Sequence, residues 1–180
     1  TSELPAHFYA SHDILTLASK KINEANSAQS ILGHLYEAGS QLFPFVGIFL
    51  SKGSTLIGWK CAPEREGISF SSLEFSVTEP TVFQIIYGTH GFYIGKLPEN
   101  NANKRLLKKI GSDEGQSICL FPVLVGTRLA AVVLAESEQV ASSTHDISSY
   151  FALAQLAGQR LIHFIPHHRD TDWGTLLASH

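Results

Sequence analysis

Methionine is missing altogether: none occurs in the 180 residues. A chain beginning at its own start site would carry one, so the sequence is expected to be a piece cut from a longer protein. Charge of one sign is scarce too. Thirteen Lys+Arg against 16 Asp+Glu leave a net charge of −3, which speaks against nucleic acid or an anionic membrane as the main partner. No run reaches ~18 consecutive apolar residues, so no membrane-spanning helix is expected. The opening TSELPAHFYASHD has no basic flank leading into an apolar segment, so it does not read as a secretory signal. Cysteine is down to two, Cys61 and Cys119, both in apolar strand-like runs. They are expected as reduced, buried thiols of a cytosolic protein. Spacing alone does not say whether their Cβ atoms approach closely enough for a disulfide.

Catalytic signatures are also missing. There is no G-x-S-x-G elbow, no H-E-x-x-H and no G-x-x-x-x-G-K-[ST]. The acidic pairs Glu64/Glu66 and Asp113/Glu114 fall in polar loops, where water keeps carboxyl acidities ordinary. No nucleophile stands with a base and an orienting group in any readable pattern, so the chain is not expected to be an enzyme.

What is present is a core. The composition is 44% hydrophobic and 16% charged, which suits one globular domain. Its organising stretch is 117–137, SICLFPVLVGTRLAAVVLAES. Two arms of Val, Ile, Leu and Ala flank the turn Val125-Gly126-Thr127-Arg128. Arms so apolar on both faces predict a central hairpin in a sheet covered on both sides.

The rest follows in order. Residues 1–10 read as an arm. Ile14, Ala18, Ile22 and Ala25 give a helical stripe over 11–26, with Ser11 as its cap. A second helix over 27–42 is expected to be capped by Asn26 and stopped by Pro44. Strands follow at 45–51 and 55–61, which must be antiparallel because only Lys52-Gly53-Ser54 joins them. Alternation places Trp59 with Ile57 and Cys61, packed as core. A third strand is expected over 70–77. Thr78 caps a short helix with Pro80 in its first turn and Gly88 at its end. GFYIG, 91–95, is a short strand, and 103–110 a helix ended by Gly111. Its Lys104, Arg105, Lys108 and Lys109 face outward, either as a solvated surface or as an anion-holding patch. After the hairpin comes a long helix over 143–165, opened by Ser143 and Asp146, and then a polar tail or linker, 166–180.

This order, with LFPFVGIFL at 42–50, TLIGWKC at 55–61 and FPVLVGTRLAAVVLAES at 121–137, resembles the GAF domain family over residues 10–165. The resemblance implies an α+β, profilin-like fold. A central antiparallel sheet of about six strands would carry the N- and C-terminal helices on one face and short helices and loops on the other. Ala131 departs mildly from the glycine common in relatives. Asn103-Lys104 and Asp113-Glu114 lack the phenylalanine and the spacing of the cyclic-nucleotide-binding subset. Neither cysteine has the histidine neighbour typical of bilin attachment, and two strand cysteines do not supply the loop set of the methionine-sulfoxide reductases.

The resemblance further implies a ligand pocket roofed by residues 70–110. Phe70, Phe75, Phe83, Tyr87, Phe92 and Tyr93 are its candidate ligand-binding residues, aromatic walls for a small planar molecule; the alternative is that they fill the space as core. The cofactor, like the identity of the ligand, is left unknown by the sequence. His90 beside this pocket is expected to face water. His167, His168, Asp170 and Asp172 are not expected to form a metal site, because a tail lacks the supporting shell. Leu153, Leu156 and Ile162 on the last helix are left for a second copy, unless the first helix covers them. The implied function is a sensory or regulatory domain of a bacterial, cytoplasmic signalling protein. It would bind a small molecule or partner and act through its terminal helices on a neighbouring output domain. A ligand-free dimerisation or assembly domain is the alternative.

Overall fold

A computed structural model describes residues 6–137 and 144–164, with side chains over 11–137 and 146–164. The elements are α1 (Ala6–Glu24), α2 (Ala28–Leu42), β1 (Phe45–Lys52), β2 (Thr55–Ala62), β3 (Glu74–Ser76), α3 (Val82–Thr89), β4 (Tyr93–Lys96), α4 (Asn101–Ile110), β5 (Ser117–Val125), β6 (Arg128–Glu136) and α5 (Thr144–Leu161). Short 3₁₀ turns occupy Phe70–Ser72 and Ile162–Phe164. The strands form one six-stranded sheet in the order β3-β2-β1-β6-β5-β4, every pair antiparallel. The expected hairpin is β5–β6, with β6 beside β1 at the centre. The fold class read from the sequence holds.

Strand alternation sorts the core into two layers. On β1, Val46, Ile48 and Leu50 face the helices α1, α2 and α5, while Phe45 and Phe49 face the roof built by α3, α4 and the Phe70 turn. The hairpin does the same: Cys119, Phe121 and Val123 pack toward the helices, Ile118 and Leu120 toward the roof. Both faces of a central strand are therefore dry, which is why its sequence is apolar without a break.

Two close approaches seat the layers. Tyr150 of α5 is fully buried and donates its hydroxyl to the Leu35 carbonyl of α2 at 2.7 Å. It meets the Phe43 and Phe121 rings edge-on at 5.3 and 5.0 Å. At Gly158 the α5 backbone lies directly on β5, where an added Cβ would stand 2.0 Å from the Leu124 carbonyl oxygen. Gly158→Ala therefore forces the helix off the sheet. The expected loss is about 1–3 kcal/mol, read as a lower urea midpoint at unchanged slope.

Several boundaries differ from the expected ones. Helix α1 already runs from Ala6 through much of the expected arm, and Ser11 lies buried within it rather than capping it. Ser27, not Asn26, caps α2, its hydroxyl accepting from Ser30 N at 3.0 Å. Phe70–Ser72 turns instead of extending the third strand, because the Phe70 ring drops over Gly47 and its carbonyl presses on Gly58. Thr81, not Thr78, caps α3; the Asn103 side chain of α4 takes the Val82 N–H at 2.9 Å and fixes where α3 begins. Helix α3 passes through Gly88 and ends at His90 in the left-handed region. A β-bulge makes Trp59 the extra residue opposite Ile48/Phe49. Beyond the bulge Cys61 faces the roof side while Trp59 packs against the helix side, so the two do not share a face. The expected cap Ser143 and the tail from Ile165 onward lie outside the described residues.

Candidate functional site

The roof over β1, β2 and β5 is the expected site, and three of its six aromatic candidates close it. Phe49 sits at the centre of a ring cluster, its centroid 4.8 Å from Phe70, 5.6 Å from Phe75 and 5.1 Å from Phe83. Phe75 and Phe83 are themselves 5.4 Å apart. Tilted and edge-on rings at these separations are packed interior contacts. Tyr93 packs at the margin of this layer and donates its hydroxyl to the Lys96 carbonyl. Tyr87 is 42% exposed on α3. Phe92 is 52% exposed and stacks on Phe151 of α5, 4.9 Å away, on the helix side of the sheet. The structure thus brings Phe70, Phe75 and Phe83 together and leaves Tyr87 and Phe92 apart from them.

The polar groups of the roof are taken up by its own construction. Asn103, buried in α4, accepts from Val82 N and donates to the Pro98 carbonyl, both at 2.9 Å. Asn100 accepts from Asn103 N and donates to the Pro80 carbonyl. The Lys104, Arg105, Lys108 and Lys109 side chains are exposed as the solvated face of α4, and Lys109 Nζ lies 5.6 Å from the Phe75 ring.

A second cluster went unread in the sequence. Arg65 in the β2–β3 loop reaches Glu136 Oε2 at 2.7 Å, the Ile110 carbonyl at 2.8 Å and Ser112 Oγ at 3.1 Å. Ser112 donates to the other Glu136 oxygen. The Arg65 guanidinium also lies over the Phe45 ring, 3.8 Å from its centroid. One cation thereby ties the loop, the carbonyl end of α4 and the end of β6 together. The signal was present: Glu136 closes the apolar run LAAVVLAE, and a carboxylate there needs a partner.

The thiols lie on opposite faces of the sheet, Cys61 toward the roof and Cys119 toward the helices. Their strands are three spacings apart in the sheet, about 14 Å, too far for a disulfide. Burial raises the pKa of Cys61, Glu64 raises it further and Arg65 opposes the rise. Burial likewise raises Cys119, against a hydrogen bond with Ser137. Both thiols are accordingly poor nucleophiles at neutral pH. With a thiol-reactive disulfide reagent, Cys61 is expected to label slowly and Cys119 only on unfolding; rapid labelling of Cys119 in the native protein would contradict this burial. Among the described residues no group of three or more His, Cys, Asp or Glu is placed to hold a metal.

An open concavity lies elsewhere. A groove of about 420 Å³ runs between α5 and the outer edge of β5. Strand β4 pairs only with Ser117–Leu120, so among the described residues the outer edge of β5 beyond Leu120 carries no strand. Pro122, Leu124 and Gly126 form the floor. Phe151 and Gly158 of α5, with Ile162 of the turn that follows it, form one wall, with Gln155 and Gln159 as its polar rim. His90, held at φ 54°, lines the opposite end. It therefore belongs to this groove and not to the roof.

No protein-family model matches the sequence, and no curated protein matches it. Solved structures do. The GAF domain of a phosphoenolpyruvate-protein phosphotransferase from Acinetobacter superposes with TM-score 0.61 at 15% identity, over 86% of this chain and 94% of that one. The chain has a GAF-domain fold. The same fold aligns it, with TM-score 0.64 at 11% identity, to a far-red-absorbing dark-state protein with bound biliverdin IXα, over 83% of this chain and 98% of that one. Free methionine-R-sulfoxide reductase from Neisseria meningitidis, in complex with its substrate, aligns with TM-score 0.62 at 14% identity, over 89% and 92%. In this GAF fold the roof is filled by phenylalanine, and the last helix is the element most directly seated on the hairpin.

Proposed function

We propose that this chain is a non-catalytic sensory or regulatory GAF domain of a signalling protein. A small molecule or partner protein binds it, and the effect leaves through α1 and α5 to a neighbouring domain. The single observation that carries this reading is the seating of α5. Its Gly158 backbone rests on the Leu124 carbonyl of the hairpin whose other face supports the roof. Displacement of the roof bears on the hairpin, and the hairpin bears on α5; close-packed interiors transmit such strain. The size of the effect is bounded by the difference in ligand affinity between the two arrangements. For the roof candidates Phe70, Phe75 and Phe83 to bind, their ring cluster has to part. The bound biliverdin of one structural neighbour supports the capacity of the fold for planar ligands. The reductase neighbour lends no activity to this chain, whose two thiols stand on opposite faces. A thermal-shift screen against metabolites tests the reading. A compound that raises the melting temperature, and loses that effect in Phe83→Trp, supports roof binding; a library with no stabilising member counts against it.

The packed roof favours a second reading, a ligand-free assembly domain that pairs through its terminal helices. Leu153, expected at that interface, is buried in the chain's own helix-side core, and Leu156 packs partly against it. Ile162 is 50% exposed and Leu17 of α1 is 53% exposed, so the pairing face would rest on these two. Sedimentation equilibrium of wild type and Ile162→Asp separates the readings: a dimer lost in the variant supports assembly, and a monomer in both excludes it.

A further inference from the structure

The outer face of α4 carries charge of one sign only. Its sequence, NANKRLLKKI, holds no Asp or Glu. Ala102, Asn103, Leu106, Leu107 and Ile110 are buried. Every exposed residue except Asn101 is a cation: Lys104, Arg105, Lys108 and Lys109. In a chain of net charge −3, this one helix holds four of the 13 Lys+Arg.

A helix that needs only a wetted surface gains from opposite charges at four-residue steps. Here Lys104 stands at that step from Lys108 and Arg105 from Lys109, two like-charge pairs that weaken the helix. Only Lys108 and Lys109 lie in the last turn, where the helix dipole favours cations. Among the described residues none of the four forms an ion pair. A local cost with no return inside the fold points to a surface kept for a partner.

The extent of the face narrows the partner. Glu99 precedes the helix and Asp113 and Glu114 follow it, all exposed. A polyanion running on past the helix, such as a nucleic-acid backbone or a lipid surface, meets these carboxylates and a chain of net negative charge. A short acidic helix does not. Its carboxylates at four-residue steps repeat every ~6 Å, the rise from Lys104 to Lys108 and from Arg105 to Lys109. The face is also anchored from within. Arg65 holds the Ile110 carbonyl at 2.8 Å and Glu136 of β6 at 2.7 Å, so a load on α4 bears on the central hairpin.

We propose that the Lys104, Arg105, Lys108 and Lys109 face of α4 is the docking surface for an acidic helical segment of a partner protein. This names the partner class for the regulatory reading and rests on that reading for its consequence at α5. Docking itself is measured apart from that consequence.

The test is fluorescence anisotropy of the full 180-residue chain with a labelled helical peptide of about four turns that carries Glu at four-residue steps. The expected result is saturable binding that weakens as salt is raised and vanishes when Gln replaces Glu in the peptide. Lys104→Glu/Arg105→Glu should weaken it at least about tenfold. That variant sets acids four residues before Lys108 and Lys109, so its melting temperature should hold or rise, and lost binding is then not lost folding. Lys20→Glu/Lys21→Glu makes the same charge change at exposed positions of α1 and should leave most of the binding in place. No saturation with the Glu peptide overturns the docking face, while coupling between roof and α5 stands or falls on its own measurement. An equal loss in the α1 variant overturns it too, since overall charge alone is then felt. A DNA duplex or phosphatidylserine vesicles, bound through the same residues as tightly as the peptide, would assign the face to a polyanion and equally overturn it.

Discussion

Replacing Phe49 by alanine is expected to remove about 3–5 kcal/mol of unfolding free energy, the usual loss for a buried aromatic truncated to alanine. The side chain has no exposed surface and touches three other rings. Those neighbours are anchored on separate elements: Phe70 in a turn seated on Gly47 and Gly58, Phe75 on β3 and Phe83 on α3. They are not free to collapse into the space, so a dry apolar cavity should remain. Such cavities take up small apolar guests, and benzene or indole should raise the melting temperature of the variant and leave that of the wild type unchanged. Urea denaturation checks the first part and a thermal-shift titration the second. A loss under about 1 kcal/mol, far below the usual range for such truncations, would mean that the ring is not enclosed as described.

The second large effect is at Arg65. Arg65→Met leaves Glu136, whose side chain is 10% exposed, beside the apolar end of β6 with its cation gone. Breaking a buried pair from one side costs about 3–5 kcal/mol. Arg65 itself is 22% exposed, so water reaches the site and the lower end, about 3 kcal/mol, is expected. The loss comes from the stranded carboxylate and not from the value of the pair. Removing both charges in Arg65→Met/Glu136→Leu should therefore restore most of the stability. A double-mutant cycle by urea denaturation measures this. Additive losses in the double variant would show that the two side chains act independently.

These contacts mark where sequence reading stopped. The hairpin was legible because every position of its arms had to be apolar, whichever face it met. Helix α4 was legible because its Leu106, Leu107 and Ile110 stripe and the glycine stop agreed. The Phe70 turn was not, since the loose apolar–polar alternation of FSSLEFSV at 70–77 looks like a strand until Gly47 and Gly58 are seen to leave room for Phe70 above them. The Trp59 bulge reverses the facing of every later residue of β2, and no residue type announces it. The start of α3 was misplaced because Asn103, 21 positions away, fixes it. For the candidate site, the composition of the roof was readable but its closure was not: aromatic residues that line a cavity and those that fill one are written alike. Whether a second copy or the first helix covers Leu153 stayed open in the sequence, which does not reveal that α1 lies beside α5.

Coupling between the roof and the last helix is the claim on which the regulatory reading stands, and Phe75→Leu probes it mildly. This change trims the roof at the margin of the ring cluster and touches no residue of α5. Backbone amide chemical shifts of wild type and variant should differ in β3, α3 and β1. They should differ again in β5 around Leu124 and in α5 around Gly158, beyond the reach of the lost ring current. Differences that stop at the roof face of the sheet, with Gly158 and its neighbours unmoved, would contradict it.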